Sequence, residues 1–433
     1  MIKRSFLGVK NPVLKYDFAA SDVKEPEQIP QPSSVILLLD EPLDSTRINL
    51  VKTGDQVRKN EKIYLYKNSR EYVVSPIQGE ITSIESYPGE FGDIGTYLVA
   101  EKSDYVRDED TKTEVIESLG KPSLETAEKY LKMLPGAPPF DVLAEKGGDI
   151  HTIVITGFDP DLLATTRQYF LNNQKEELKE GIKILKDLTH VPKVAVTVPE
   201  SEEDRPGFEG MQLLNMKDTY PDALPLMIMK NHLNIIVPPG KSCVDMGVCF
   251  MSAEAVIAMA RAFRDKSLTF EKVVTVTGKD GSQRTVKAMI GTRIGEVFKA
   301  LNININENDR VIINGPMQGF ATFTLSHPVQ PDMDSIAVQD VDDIQHISDY
   351  PCINCGNCIK ICPANIPVNL LVRRLEANMF EEAAEKFDLQ SCIECGLCSY
   401  VCTARIPLFQ YIRLGKHELL QIKAEAETEE RNG

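Results

Sequence analysis

The stretch "CINCGNCIKICP", residues 352–363, decides how the C-terminal part of this chain folds. It contains Cys352, Cys355, Cys358 and Cys362 in the spacing C-x2-C-x2-C-x3-C, followed by Pro363. A second stretch, "CIECGLCSYVCT" at 392–403, repeats the spacing with Cys392, Cys395, Cys398 and Cys402. Zinc sites usually pair two C-x2-C knuckles across a longer loop. The repeated spacing seen here is instead typical of proteins that hold two [4Fe–4S] clusters.

The spacing also predicts which cysteines share a cluster. In two-cluster ferredoxins the fourth cysteine of each run binds the cluster of the other run. We therefore expect two crossed sets, which are Cys352, Cys355, Cys358 and Cys402 on one cluster and Cys392, Cys395, Cys398 and Cys362 on the other. Gly356 and Gly396 let the backbone pass close to the clusters, and Thr403 stands where a proline often follows. A scaffold in which the thiols hold zinc is the remote alternative.

Composition narrows the class of protein. The chain has 433 residues, enough for several domains, and a formal net charge of -16, which disfavours nucleic acid as a partner. Eight of the ten cysteines fall between 352 and 402, which indicates metal ligation in a reducing compartment rather than disulfides. No apolar run is long enough to span a bilayer. We therefore expect a cytoplasmic protein with no transmembrane segment of its own.

The first part of the chain predicts a small β module. Residues 1–33 form a polar, proline-rich N-terminal extension, and 34–102 contain short alternating runs with Gly54 and Gly79 in turns. This region resembles the lipoyl/biotinyl-type barrel-sandwich hybrid. No lysine stands at a hairpin tip in the setting that a carrier domain uses for its cofactor, so we expect a structural module.

The rest of the chain predicts three further domains. Residues 130–265 alternate strand-like and helical runs, which indicates a Rossmann-like α/β domain, and 266–335 fit a β-grasp module. Residues 340–415 form an α-helical ferredoxin-type domain, in which Leu371, Leu375, Met379, Ala383 and Phe387 predict an amphipathic helix between the cysteine runs. Residues 416–433 are a C-terminal tail whose acidic end we expect to be disordered. Cys243 and Cys249 are expected to be buried, inert thiols. The fold class is thus multidomain, α/β plus α+β.

Several segments resemble one family. "CINCGNCIKICPANIPVNLL" and "CIECGLCSYVCTARIPLFQYIRLGK" look like the ferredoxin-type segment of RnfC, the peripheral subunit of the ion-pumping Rnf complex. "VVTVTG" (273–278), "IGTRIGEVF" (290–298) and "INGPMQG" (313–319) are similar to its soluble-ligand-binding (SLBB) β-grasp module, and "DTYPDALPLMIMK" and "VDMGVCF" to strands of its nucleotide domain. The resemblance implies FMN and NADH in the α/β domain, and two [4Fe–4S] clusters that pass electrons to membrane subunits.

The sequence departs from the family at the flavin site. "LPGAPPFDV" (134–142) replaces a glycine-rich loop, and "ITGFDPDLL" (155–163) offers only Asp159 and Asp161 for an acidic strand end. Proline removes the amide donors that a phosphate needs. We therefore favour an electron relay between a soluble donor or dehydrogenase partner and a membrane-bound redox complex, with no catalytic side chain of its own. The resemblance places it on the cytoplasmic face of the membrane. An NADH dehydrogenase subunit with bound FMN is the alternative.

Overall fold

The structure is a computed structural model, and it describes residues 12–17, 24–69, 71–103, 115, 117–200, 211–345, 347–348 and 350–432. The chain is a mixed α/β protein that forms two compact units. Unit 1 comprises Met1–Tyr16, Asp218–Met246 and Asp343–Gly433, and unit 2 comprises Asp17–Lys217 and Gly247–Asp342. Residues 1–11 and 18–23 of the expected N-terminal extension lie outside the described residues.

The regular elements are as follows. The strands are β1 (Glu27–Gln28), β2 (Ser34–Leu39), β3 (Gln56–Val57), β4 (Lys62–Ile63), β5 (Val73–Val74), β6 (Gly79–Pro88), β7 (Ile94–Lys102), β8 (Thr152–Thr156), β9 (Lys193–Pro199), β10 (Gln212–Met216), β11 (Val248–Ser252), β12 (Glu271–Thr277), β13 (Gln283–Met289), β14 (Arg310–Ile313), β15 (Phe320–Thr322) and β16 (Ser335–Gln339). The α-helices are α1 (Leu124–Tyr130), α2 (Phe140–Lys146), α3 (Thr166–Asn173), α4 (Lys175–Thr189), α5 (Pro225–His232), α6 (Ala253–Asp265), α7 (Ile294–Ala300), α8 (Asn357–Ile361), α9 (Val368–Glu376), α10 (Phe380–Lys386), α11 (Leu397–Tyr400) and α12 (Leu408–Asn432).

The first sheet of unit 2 is antiparallel. Its strand order is β2-β7-β6-β3, and β4 pairs with β5 beside it. Because successive residues of a strand face opposite sides, Val35, Leu37 and Leu39 of β2 all enter the same buried core, together with Ile81 and Leu98. The turn between β6 and β7 is closed by a hydrogen bond of 2.8 Å from the amide of Gly89 to the carbonyl of Asp93.

The second sheet is parallel, with the order β10-β9-β8-β11. All five residues of β8 are buried, as expected for a central strand of a parallel sheet. Helix α4 buries Leu178, Ile182 and Leu185, which lie on one helical face. Strands β9 and β10 lie on one side of β8 and β11 lies on the other, so the strand order reverses between β8 and β11. In open α/β sheets, ligands bind at the carboxyl ends of the strands at such a point.

The third sheet is mixed and has the order β1-β13-β12-β16-β14-β15. Helix α7 packs against it through Ile294, Val297 and Phe298. Strand β1 pairs in parallel with β13, with Glu27 opposite Val286. Part of the expected N-terminal extension therefore forms the edge of this sheet.

Unit 1 contains α5 and α8 to α12 and buries Leu371, Leu375, Ala383 and Ile412 in one core. The helix expected between the cysteine runs is wrong as a single element. It is two helices, α9 and α10, because the chain turns at Asn378, whose φ is 55°. As a result Met379, expected on the apolar stripe, is 41% exposed.

The C-terminal end also differs from expectation. Helix α12 continues from Leu408 to Asn432 without a break at residue 416, where the sequence predicts a separate tail with a disordered acidic end. The glutamates and alanines of this end are good helix formers, which accounts for the continuation. In the described ranges, no helix combines the length and apolar character needed to cross a membrane.

Candidate metal centre

Each cysteine run folds into a loop followed by a short helix. In the first run α8 carries Cys358, and Cys362 follows at its C-terminal end. In the second run α11 carries Cys398, and Cys402 follows two residues after its end. Equal spacing thus produces equal local structure, and this places three thiols of each run around one loop.

Gly356 and Gly396 lie directly before these two helices. Their φ angles are 73° and 71°, in the left-handed region that residues with a side chain rarely adopt. A Cβ built on Gly356 would meet no protein atom within 4 Å. The left-handed backbone conformation, and not contact with neighbouring protein atoms, therefore explains the glycine at position 356.

Four cysteines drawn from both runs line one pocket. They are Cys352, Cys355, Cys358 and Cys402, and protein atoms leave about 480 Å³ of space empty there, part of it open to solvent. Val372, Ile406 and Leu408 add apolar walls. A [4Fe–4S] cluster needs four thiolates in an environment that limits water, so the residues present fit such a group.

The other four thiols also lie near one another. The thiol of Cys362 acts electrostatically on those of Cys392, Cys395 and Cys398, although it belongs to the first run in sequence. Burial raises the pKa of Cys395 to about 12, and burial likewise raises the pKa of Cys392 and of Cys398. A metal that binds here must displace these protons, and the nearness of the four thiols is what fits the set to one cluster.

The two sets differ in exposure. Cys355 is exposed, whereas Cys395 and Cys398 are buried. The hydroxyl of Thr403 lies 3.9 Å from the sulfur of Cys355 and accepts a hydrogen bond of 3.4 Å from the side-chain amide of Asn357. The residue that replaces the usual proline therefore touches a sulfur of the first set.

Residues 218–246, which the sequence assigns to the α/β domain, belong to unit 1 instead. The hydroxyl of Tyr220, a buried residue, donates a hydrogen bond of 2.8 Å to the carbonyl oxygen of Cys395. The ring of Tyr16 lies 5.5 Å from that of Tyr220. The hydroxyl of Tyr16 accepts a hydrogen bond of 3.1 Å from the backbone amide of Ala223. Two segments far upstream in sequence thus support the second cysteine loop. No spacing or periodicity in the sequence signals these contacts.

Lys416 of α12 is a second residue that the sequence did not single out. Its ammonium group donates to the carbonyl oxygen of Cys392 and to the carboxylate of Glu394, each at 2.7 Å. It places a positive charge beside the second set, where it favours the thiolate form of Cys392. In the sequence, this role of Lys416 is indicated only by the presence of a lysine in the helix after the last cysteine.

Within the described ranges, no three His, Cys, Asp or Glu side chains converge closely enough to hold one metal ion. This finding concerns a single ion with several ligands. A [4Fe–4S] cluster is different, because each of its four irons binds one thiolate and the four sulfurs stand further apart. The fit described above therefore applies to a cluster.

Of the two thiols outside the runs, Cys249 is buried as expected, whereas Cys243 is only partly buried. Burial raises the pKa of Cys243 to about 11 and that of Cys249 to about 12. A thiolate is the reactive form of cysteine, so both have the chemistry of inert residues at neutral pH.

The loop at 134–142, where the family resemblance implies a glycine-rich flavin loop, packs against the chain itself. There Gly136, with φ of 85°, packs on the first turn of α6, and a Cβ on it would lie 2.5 Å from the amide nitrogen of Ala255. Its carbonyl accepts a hydrogen bond from the hydroxyl of Ser252 at 3.3 Å. Pro138 and Pro139 follow and supply no amide donors. The loop therefore packs against the end of β11 and the start of α6.

Asp159 and Asp161 follow β8 and are both buried. Asp159 accepts a hydrogen bond of 3.0 Å from the amide of Arg167, and Asp161 accepts from the amides of Met317 at 3.2 Å and Gln318 at 2.6 Å. Burial raises the pKa of each carboxyl to about 6. The two carboxylates therefore bind backbone amides of the protein itself.

The cations near these residues are already paired. Arg167 donates to Asp334 at 2.8 Å, and the fully buried Lys272 contacts both Glu254 and Asp334, the latter at 3.1 Å. A buried charge needs such a partner, because removing it from water is costly. A phosphate would have to compete with these carboxylates for the same cations.

The pocket that borders Pro138 and Pro139 is acidic. Its lining includes four carboxylates, which belong to Asp40, Glu71, Asp141 and Asp332. Lys132 is the cation among its described lining residues, and it lies 3.0 Å from Glu71. Such a surface repels a phosphate. Together with the proline loop and the paired cations, it means that the residues present do not fit FMN or NADH.

Comparison with known proteins agrees with the cysteine pattern. A family model described as a 4Fe-4S dicluster domain matches residues 336–403, which include all eight cysteines of the two runs. The chain is 27% identical over 446 residues to the C component of a proton-translocating ferredoxin:NAD(+) oxidoreductase complex of Clostridium ljungdahlii, a match that covers 96% of this chain and 94% of the relative.

Two further comparisons differ in coverage. The chain is 24% identical over 380 residues to the C component of an ion-translocating oxidoreductase complex of Pectobacterium carotovorum, with 83% of this chain but only 50% of the relative covered. Among solved structures, an NAD+-reducing [NiFe]-hydrogenase in the H2-reduced state matches with a TM-score of 0.42 and 13% identity, over 73% of this chain and 61% of that chain. A score this low carries no argument about function.

Proposed function

We propose, from the premise that this chain belongs to the RnfC family, that it relays electrons through two [4Fe–4S] clusters within an ion-translocating Rnf-type complex. The donor is a soluble carrier or a dehydrogenase partner, and the acceptor is a membrane-bound redox subunit. The chain itself acts as a peripheral subunit on the cytoplasmic face.

One observation carries this proposal, namely the grouping of the eight thiols into two crossed sets. Cys352, Cys355, Cys358 and Cys402 line one pocket. Cys362 acts on the thiols of the second run. We propose that each set ligates one [4Fe–4S] cluster, which when bound accepts and returns one electron at a time.

The chain's own residues set the environment of these sites. Tyr220 and Lys416 hold the carbonyls of Cys395 and Cys392, so they fix the loop of the second set. The exposed Cys355 gives the first set the closer approach to a partner protein. No side chain needs to move a proton in such a relay, and we assign none as a catalytic acid or base.

The poor fit of FMN and NADH favours a relay over an NADH dehydrogenase. Hydride transfer from NADH needs a bound flavin or a similar two-electron acceptor. The loop in question packs Gly136 tightly against α6 and continues with two prolines, and the pocket beside these prolines is acidic. We therefore propose that electrons reach this chain one at a time from another protein.

We also propose a domain layout. The antiparallel sheet supports a barrel-sandwich hybrid at 34–102, the parallel sheet a Rossmann-like domain within 130–265, and the mixed sheet an SLBB-type β-grasp domain at 266–335. Residues 340–415 form the ferredoxin-type domain. The exception is 218–246, which lies in unit 1 with the cysteine runs.

The test uses the full chain purified without oxygen. We expect about eight irons per chain, no extractable flavin, and bleaching of the clusters by a reduced low-potential ferredoxin but not by NADH. The Cys249→Ala variant is a matched control, because it removes a buried thiol outside the two runs and should keep the iron content unchanged.

Three outcomes would contradict parts of the proposal. Zinc in place of iron would contradict electron transfer. Bound FMN together with bleaching by NADH would establish the dehydrogenase alternative. Loss of iron in Cys249→Ala would mean that the ligand sets are assigned wrongly.

A further inference from the structure

A large concave surface lies in unit 2, away from both cysteine runs in sequence. It is formed by the end of β2, the turn between β6 and β7, and β15 with the residues that follow it. Protein atoms leave about 1310 Å³ empty there, part of it open to solvent. Tyr87, Phe320, Phe323 and His327 line one side of this surface. Nothing in the proposed electron relay uses it.

The aromatic side chains form an ordered stack. The ring of Tyr87 lies 4.3 Å from that of Tyr97 and 5.6 Å from that of Phe323, with planes within 20° of parallel in both pairs. The hydroxyl of Tyr87 and Nδ1 of the buried His327 lie 3.0 Å apart, which fixes the Tyr87 ring. Phe323, the outer ring, is 69% exposed. Tyr87 and Tyr97 are buried beneath it, so Phe323 is the ring of this stack that a partner can cover.

The same surface is negatively charged. Asp40, Glu90 and Asp93 line it, and its described lining residues include no Lys or Arg. Burial and then the nearby carboxylate of Glu71 raise the pKa of Asp40, Lys132 lowers it, and Asp93 raises it. Burial lowers the pKa of His327 to about 4, so this residue adds no positive charge at neutral pH.

We infer that this surface, which we call the aromatic–acidic pocket, binds an arginine-bearing cytoplasmic loop of a membrane-embedded partner. An arginine side chain stacks on aromatic rings and pairs with carboxylates through its planar guanidinium, which is the combination of groups that the pocket offers. The space is open to solvent along part of its surface, so a segment of a longer chain can enter it.

The identity of the occupant rests on the proposed function, whereas the pocket chemistry does not. Cytoplasmic loops of membrane proteins are enriched in Lys and Arg near the membrane. A chain with a net charge of -16 is repelled by anionic lipids. Basic loops of a membrane protein can therefore hold an acidic subunit at a negatively charged membrane surface.

The test measures peptide binding to the full chain with its clusters in place. The probes are dye-labelled hexa-arginine, hexa-lysine and hexa-glutamate peptides at physiological salt, followed by fluorescence anisotropy. We expect hexa-arginine to bind more tightly than hexa-lysine, and hexa-glutamate not to bind. Phe323→Ala, and separately Glu90→Gln combined with Asp93→Asn, should each weaken hexa-arginine binding about tenfold or more. Glu176→Gln combined with Asp187→Asn removes the same charge from the exposed side of a helix and should change binding less than twofold.

These variants should fold as the parent chain does, because Phe323 is largely exposed and the two acids lie in or beside a surface turn. Equal weakening in the control pair, equal affinity for the lysine and arginine peptides, or no peptide binding would overturn the inference. Binding to phosphatidylserine vesicles that the pocket variants abolish would also overturn it, in favour of a lipid. Iron content is measured on the same samples. A chain that binds the peptide but lacks iron would contradict the electron relay and leave the pocket chemistry standing.

Discussion

Replacing Cys402 tests the crossed arrangement of the cysteines most directly. Cys402 follows the second run in sequence, yet it lines the pocket that contains Cys352, Cys355 and Cys358. Its replacement by alanine removes one of the four thiols of that set and none of the other. We therefore expect the Cys402→Ala variant to retain about four of about eight irons, because the cluster held by Cys362 and the second run keeps all its ligands.

Double variants identify which cluster is lost. Combining Cys402→Ala with Cys355→Ala removes two thiols of the same set, so iron should stay near four per chain. Combining Cys402→Ala with Cys395→Ala removes one thiol from each set, so iron should fall close to zero. The assay is iron content together with electron paramagnetic resonance of the dithionite-reduced protein. The opposite pattern, with near-zero iron in the Cys355 combination and about four in the Cys395 combination, would refute the crossed arrangement.

Three further changes test individual contacts. Tyr220→Phe removes the hydrogen bond to Cys395 and leaves a buried carbonyl without it, so denaturant titration of the cluster-loaded chain should show a loss of about 1–2 kcal/mol. In the proposed first cluster, the hydroxyl of Thr403 beside the sulfur of Cys355 would stabilise the more negative reduced state, so Thr403→Val should lower the potential of this cluster by on the order of 30 mV in a redox titration. Burial lowers the pKa of His327 from 6.5 to about 4, so as the pH falls the unfolded chain takes up this proton before the folded chain does. Stability is therefore lost as the pH falls from about 6.5 towards 4. Denaturant titrations should show that it contributes a loss of about 2 kcal/mol between pH 7 and pH 5.

Matched variants control these measurements. Tyr400→Phe changes a partly exposed tyrosine on α11 and should leave stability nearly unchanged. Thr403→Ser keeps the hydroxyl and should keep the potential. His327→Gln removes the titrating group, so its stability should fall less between pH 7 and pH 5 than that of the parent chain. A shift in the Tyr400 or Thr403→Ser control as large as in its test variant, or an unchanged pH dependence in His327→Gln, would contradict the corresponding explanation.

The parts of the structure that sequence could predict are those set by local rules. The cysteine spacing predicts two loops of equal shape, because each loop and its helix depend on residues within about ten positions. The alternation of strand-like and helical runs likewise predicts the parallel sheet. Both kinds of pattern act over short distances along the chain, and both are visible in one sequence.

The parts that sequence could not predict depend on residues far apart. The hydrogen bond between Tyr220 and Cys395 joins positions separated by 175 residues, and neither residue type indicates the other. The single helix expected between the runs failed for a local reason, since Asn378 is one of the few residue types that adopts a positive φ readily and ends the helix there. The acidic end was expected to be disordered from its charge alone, although its residues have high helix propensity.

The scattered origin of unit 1 has a consequence for the order of events during synthesis. The ribosome completes Tyr16 and Tyr220 long before the second cysteine run, which they support, has been translated. The supporting tyrosines must therefore wait until the second cysteine run has been translated before they can support it. For the same reason, a C-terminal fragment that starts after residue 340 lacks Tyr16 and Tyr220, and we expect it to hold its second cluster less firmly than the whole chain does.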